Sequence, residues 1–351
     1  MSTQEKLFFP ALTGYRAIAA WMIFVFHFMP FRNPSYPDFA KRAVSTFHIG
    51  VEMFFVLSGF LITYRYFNER PINFKKFMVN RVARIYPMYF LLTALFFVIY
   101  YFQSNIWNTE KTIEAILSFT MTKALFSKYY FAGIAQGWTL TLEEMFYITA
   151  PFYFILIRKN KWFLLLLPIV LFASGNFLKN LTNVPENSWG FLQYDFYFNI
   201  FEFFAGITLA YLTLKKRISF SRNWVTWFGL SIIILFIFGK GYLPHDTKFS
   251  QLAEVIFLSF FGIAPLLWGL IYEKTIIQEI LGSRIFVLLG KSSYVFYLIH
   301  KGFIPVFMSD YITDNKLVIF VLLNVLSVLM FTYLEEPLNH FIRKKFNSKK
   351  M

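Results

Sequence analysis

Stretches of about twenty predominantly apolar residues recur from one end of this chain to the other, and that repetition constrains the fold more than any single motif. Twenty helical residues rise about 30 Å, the thickness of a bilayer's hydrocarbon core, so each run is long enough to cross a membrane as one helix. Hydrophobic residues make up 57% of the 351 and aromatic residues 22%, a composition foreign to ordinary soluble domains. The predicted fold class is therefore an all-α polytopic membrane protein, a bundle of about ten transmembrane helices. Its spans are predicted at 12–31, 45–66, 84–103, 138–157, 162–178, 195–214, 223–239, 251–272, 285–308 and 316–334.

Charge orients this bundle. Lys and Arg on the side of the N-terminus outnumber those on the opposite side by about two to one, which predicts that both termini are cytoplasmic. The formal charge of +15 lies mainly in the loops between apolar runs, so it follows from the same bias and does not point to nucleic acid. There is no cysteine, which excludes disulfide frameworks, thiolate nucleophiles and Cys-ligated metals. One lysine precedes the first run and no small-residue cleavage pattern follows it, so that run is expected to be a retained helix. The connection from about 104 to 137 is expected outside as a cover or binding loop, and residues 335–351 as a short basic cytoplasmic tail. With no internal repeat, a single transmembrane domain is expected to account for the chain.

The polar residues inside these spans carry the functional signal, since each costs about 3 kcal/mol in lipid and must face the bundle interior. Arg16 and His27 are eleven residues apart, about 20° past three helical turns, so they share one face about 16 Å apart along the axis. Under the predicted orientation Arg16 lies at the cytoplasmic boundary and His27 near the middle. Glu52, Glu143, Glu144 and His300 fall in outer halves of spans, whereas Arg81, Arg84, Lys291, Glu335 and Glu336 fall toward the cytoplasm. Arg81 and Arg84, three residues apart on one helical face, suit a phosphate or pyrophosphate, though a basic cluster at a helix mouth also arises from orientation bias alone. His27 can accept a proton near neutrality; a histidine there can equally serve as an interhelical hydrogen-bonding residue. Glu143 and Glu144 are about 100° apart, so they cannot face the interior equally. No metal-ligand spacing, nucleophile elbow or phosphate-binding glycine loop is present.

Six stretches in collinear order resemble motifs of acyltransferase family 3, the integral-membrane acyltransferases of bacterial surface polysaccharides and other acceptors. "LTGYRAIAAWMIFVFHF" at 12–28 resembles the opening helix, with Arg16 followed after ten residues by His27. "GVEMFFVLSGFLIT" at 50–63, containing Glu52 and Ser58, resembles the second-helix signature, and "RVARIYPMYF" at 81–90 the R-x-x-R region. "WTLTLEEMFY" at 138–147, "SYVFYLIH" at 293–300 and "EEPLNHF" at 335–341 resemble later motifs. Thr13 stands where an aspartate is common, and Met145 where a polar residue is common.

The resemblance implies a multi-pass protein of the plasma (bacterial inner) membrane, moving an acetyl or other acyl group from cytoplasmic acetyl-CoA to a hydroxyl of an extracytoplasmic or lipid-linked carbohydrate. It implies His27 as general base, with Glu143 or Glu144 orienting it or binding the sugar. It also implies Arg16, Arg81 and Arg84 on the phosphates of CoA, and Glu52, Ser58, Lys291, His300 and Glu336 as supporting or substrate contacts. No metal is implied, and the expected partners are the hydroxyl acceptor and membrane lipid. The rival reading is a secondary transporter or flippase for an anionic or sugar-bearing substrate, which also needs buried charge along a path; the missing internal repeat argues against it.

Overall fold

In a computed structural model of the chain, residues 8–28, 35–182, 190, 196–216, 223–240 and 247–347 are described. They are helical almost throughout, with no strand among them. In chain order the helices are α1 (Pro10–Phe28), α2 (Asp38–Ser45), α3 (Gly50–Tyr66), α4 (Phe74–Ser104), α5 (Thr109–Phe119), α6 (Trp138–Lys159), α7 (Phe163–Thr182) and α8 (Asn199–Leu214). There follow α9 (Val225–Gly239), α10 (Lys248–Phe257), α11 (Ala264–Tyr272), α12 (Ile276–Gly282), α13 (Arg284–Ile299), α14 (Phe303–Tyr311), α15 (Lys316–Met330) and α16 (Glu336–Asn347). Five- or six-residue π-helical turns, Leu258–Ile263 and Phe331–Glu335, join α10 to α11 and α15 to α16.

Glycine sets the spacing of the helices that matter most. A Cβ on Gly290 of α13 would collide with the Thr13 carbonyl of α1, and one on Gly14 with the Leu281 carbonyl of α12. Backbone therefore meets backbone, the close approach by which membrane helices associate where hydrophobic burial gives little drive. Gly59 of α3 and Gly206 of α8 make a second such crossing, against Phe203 and Val56. The first crossing locks α1 and α13 side by side; these two helices carry Arg16, His27, Tyr294 and Tyr297, and His300 caps the C-terminal end of α13.

Among the described residues, seven helical stretches are long and apolar enough to cross a bilayer, and α8 and α9 are shorter apolar helices. The expected count of ten is thus met only in part, and three departures have physical causes. The span expected at 285–308 is broken: α13 stops at Ile299, and Gly302 takes φ of 105°, which a side-chain-bearing residue rarely adopts. The span expected from 84 begins at Phe74, where the Asn73 side chain accepts the backbone N–H of Lys76 as an N-cap. Arg81 and Arg84 consequently sit within a 31-residue helix and not at its mouth. Residues 336–347, read as tail, continue as α16, packed on α4 with Arg343 Nη2 donating to the Asn80 carbonyl at 3.4 Å. Residues 29–31 of the first predicted span and 195 of the sixth lie outside the described residues, as do the last residues of the tail.

Candidate active site

Three cavities lie along α1 and its neighbours. The central one is lined by Arg16 from α1, Ser58 from α3, Arg81 and Arg84 from α4, Glu143 and Tyr147 from α6, and Tyr294 and Tyr297 from α13. Glu143 and Tyr147 are one turn apart, so both reach the same wall. The Glu143 carboxylate accepts from Ser58 Oγ at 2.5 Å and from the Tyr147 hydroxyl. The Arg81 guanidinium lies 5.5 Å from the centre of the Tyr147 ring, and its buried Nε has no hydrogen-bond partner among the described residues. Tyr294 donates to the Ile85 carbonyl at 2.8 Å, which ties α13 to α4 beside the two arginines.

A second cavity, about 1090 Å³, shares Arg16, Leu61 and Arg84 with the first. Its other polar walls are Lys291, Glu335, Glu336, Asn339, His340 and Arg343. Glu335 is buried in the π-helical turn, and among the described residues its Oε2 has no hydrogen-bond partner; nor do Asn339 Oδ1 and Arg343 Nε. π-helical turns inside longer helices recur at functional sites because they re-aim side chains without ending the helix. This basic cavity and the central one together hold Arg16, Arg81 and Arg84 against Glu143 and Glu335.

The third cavity, about 1270 Å³, is where His27 lies, exposed within it. It is lined further by Gly133, Gln136, Lys301, Asp310 and Lys316. His27 Nδ1 lies 3.0 Å from His300 Nε2, and His300 Nδ1 lies 2.7 Å from the Tyr297 carbonyl. His300 is fully buried, its ring parallel to that of Phe296 within 9°. Tyr297 divides the cavities: its side chain lines the central one, its hydroxyl donates to the Gln136 carbonyl at 3.0 Å, and its own carbonyl holds His300. The connection 104–137 covers this side, as Gln136 Nε2 donates to the Leu298 and Lys301 carbonyls at 2.6 and 3.2 Å. Within the connection Lys123 is fully buried and donates to the Ala132 carbonyl at 2.5 Å and to that of Ile134. Burial pushes its ammonium down to about 7.

Arg16 and His27 thus lie on one helix as the spacing requires, but they open on different cavities. Arg16, Arg81, Arg84 and Lys291 converge as one basic set, with Lys291 exposed at its edge. Glu143 joins that set and not the imidazole, whose observed ring partner is His300. Glu144 lines none of the three cavities. Glu52 is elsewhere, 3.1 Å from His48, which in turn meets Lys240 at 3.3 Å. Ser58 and Glu336 line the central and basic cavities respectively. Sequence reasoning missed Tyr147, Tyr297, Gln136 and Arg343. Tyr147, four residues after Glu143, was recoverable from helical spacing; Arg343 was indistinguishable from its basic neighbours.

Apolar helices of bilayer length packed around buried charged side chains define the class, a multi-pass helical membrane protein. The chain matches the acyltransferase domain family over residues 9–335, nearly its whole length, and it belongs to that family. It is an acyltransferase. A protein of Acidianus two-tailed virus, named as a candidate acetyltransferase, is 26% identical over 305 residues, covering 85% of this chain and 84% of the relative. A candidate peptidoglycan O-acetyltransferase of Bacillus subtilis is 24% identical, covering 97% of this chain and 55% of its own. A candidate O-acetyltransferase of Staphylococcus aureus is 22% identical, covering 95% and 58%. The chain therefore spans little more than half the length of the last two. No solved structure matches it significantly.

Proposed function

We propose that this protein is a plasma-membrane O-acetyltransferase, which takes the acetyl group of cytoplasmic acetyl-CoA and passes it to a hydroxyl of an extracytoplasmic or lipid-linked carbohydrate. The observation that carries the reading is the placement of Arg16 and His27 on one helix but at two cavities, the first surrounded by cations and the second holding a hydrogen-bonded imidazole. A donor with phosphates at one end and a thioester at the other matches the first arrangement. An alcohol awaiting deprotonation matches the second.

In this reading Arg16, Arg84, Lys291 and Arg343 hold the CoA phosphates in the basic cavity, where the planar guanidinium fork binds oxygen pairs. The pantetheine arm runs past Arg16 into the central cavity, where the Ser58–Glu143–Tyr147 group fixes the wall and Arg81. The thioester reaches past Tyr297 toward His27. As the acceptor oxygen attacks the thioester carbon, His27 takes the hydroxyl proton; the carbon–sulfur bond then breaks, and the imidazolium returns that proton to the sulfur, so CoA leaves as its thiol and His27 is neutral again. General-base catalysis of this kind contributes about 10²- to 10⁴-fold in rate. The relatives' names, one of which specifies peptidoglycan, support O-acetyl transfer to carbohydrate.

The chain contains no cysteine, so a thiol-reactive dye reads CoA against no protein background. Purified protein in lipid nanodiscs, given acetyl-CoA and glycan fragments of the cell envelope, is expected to release free CoA and add one acetyl mass to the glycan. Release of CoA without an acetylated product, or no binding of acetyl-CoA at all, would remove the proposal.

A further inference from the structure

The histidine pair has a direction, and it begins at the break after α13. The last carbonyls of a helix have no N–H partner of their own turn. Gly302, at φ of 105°, takes the chain away, leaving the carbonyls of Tyr297 and Leu298 at that end. Leu298 is satisfied by Gln136 and Tyr297 by His300 Nδ1 at 2.7 Å. A carbonyl oxygen can only accept, so the His300 proton must reside on Nδ1. A second proton, on Nε2, would leave an unpaired cation fully buried beside Phe296, a cost that one hydrogen bond does not return. His300 Nε2 therefore presents a lone pair.

The nitrogen facing that lone pair, 3.0 Å away, is His27 Nδ1, and it must be the donor. We infer that His300 is a positioning residue which holds His27 as its Nδ1–H tautomer, so that the basic lone pair is at Nε2, the ring nitrogen left free for the acceptor cavity. This inference rests on His27 being the general base, and it supplies what a base needs, a fixed ring and a lone pair on the substrate side. The carboxylate that performs this service in many hydrolases is here replaced by an imidazole set by a helix-end carbonyl. The pair stays neutral until the acceptor's proton arrives, and His27 then carries it on Nε2.

The test reads tautomers directly. Protein labelled with ¹⁵N-histidine, in nanodiscs near neutral pH, gives separate pyrrole-type and pyridine-type nitrogen signals for each neutral ring, assigned by single substitutions among the chain's 5 histidines. His27 is expected with a protonated Nδ1 and a bare Nε2, the minority form of free histidine, and His300 with the same form. A protonated Nε2 on His27 in the unaltered protein overturns the inference without touching the proposed function. His300→Phe keeps the aromatic shape but offers no acceptor; it is expected to shift His27 toward the Nε2–H form and lower kcat by about 10²-fold, with KM for acetyl-CoA unchanged. His300→Gln, which restores an acceptor oxygen, is expected to recover part of both. Loss of activity in His300→Phe with the His27 tautomer unmoved would assign His300 a structural role and sink the inference. Full transfer by His27→Ala would instead sink the proposed function, whatever the tautomer.

Discussion

Around Arg16 the protein gathers cations, some of whose donors are left open, whereas the ring partner of His27 belongs to a set of uncharged hydrogen-bond donors fixed on backbone carbonyls. Among the described residues, Arg81 and Arg343 each keep a buried Nε without a partner, and Glu335 keeps a bare Oε2. By contrast His300 is bonded to the Tyr297 carbonyl, Tyr297 to the Gln136 carbonyl and Gln136 to the Leu298 carbonyl, at 2.7, 3.0 and 2.6 Å. Both regions are buried polar structure, which a membrane protein maintains only at a cost, but they are built for different work. Unsatisfied guanidinium donors are arranged to receive something, in the way an anion-binding site is. A closed hydrogen-bond chain is arranged to hold one group still. The helix that joins them is kept in register by glycine at the α1–α13 crossing, so neither region can shift along α1 without the other.

The largest test of that division is His27→Ala. Acyl transfer is expected to fall by about 10²- to 10⁴-fold while binding of acetyl-CoA, measured by calorimetry on protein in nanodiscs, stays as it was. An equal loss of donor affinity would show that the two regions act as one site. Arg84→Ala is the reciprocal change and comes next in size. A charge-assisted hydrogen bond to phosphate accounts for about 1.5 to 3 kcal/mol, so affinity for acetyl-CoA is expected to drop about tenfold or more. Arg84→Lys should recover only part of it, because an ammonium cannot present two donors to an oxygen pair. Unchanged affinity in both variants would return Arg84 to the role of lipid anchor, and the basic cavity would lose its assigned ligand.

Much of this was legible in the sequence, and the parts that were not share one cause. Helical periodicity is a property of a single element, so the shared face of Arg16 and His27, and that of Arg81 and Arg84, could be read from spacing alone. Apolar length gave the helical class but not the count, because α8 and α9 are short and the span expected over 285–308 breaks at His300. Which glutamate faces the interior depends on how α6 is rotated against α3 and α4, and only the packing chose Glu143. The partnership of His27 with His300 joins positions 273 apart and depends on one glycine ending a helix. Arg343 gave no signal, since a basic run after the last span reads as tail until α16 is seen to fold onto α4.

The smallest predicted effect concerns the connection that covers only the His27 side. Lys123 holds the carbonyls of Ala132 and Ile134, and the next residues, through Gln136, line the histidine cavity and clasp the end of α13. Lys123→Met keeps the side chain's length but removes its donors; the Ile134 carbonyl keeps the Gly137 N–H, so the loss is the two bonds to Lys123, at a cost of about 1 to 3 kcal/mol. The expected result is a lower thermal unfolding midpoint and a raised KM for the acceptor, with acetyl-CoA affinity unaltered, because no residue of this loop lines the basic cavity. A pH signature accompanies it. The folded value of about 7 lies below the 10.5 of free lysine, so between those limits the unfolded chain keeps a proton that the folded chain has shed. Stability therefore rises with pH across that window, by at most about 1.4 kcal/mol per pH unit for one such group, and the advantage disappears as pH falls through 7. Unfolding midpoints measured between pH 7 and 9 should climb in the unaltered protein relative to Lys123→Met. Parallel curves would mean that the lysine stays charged in the fold, and that the two carbonyls stabilise its ammonium more than burial opposes it.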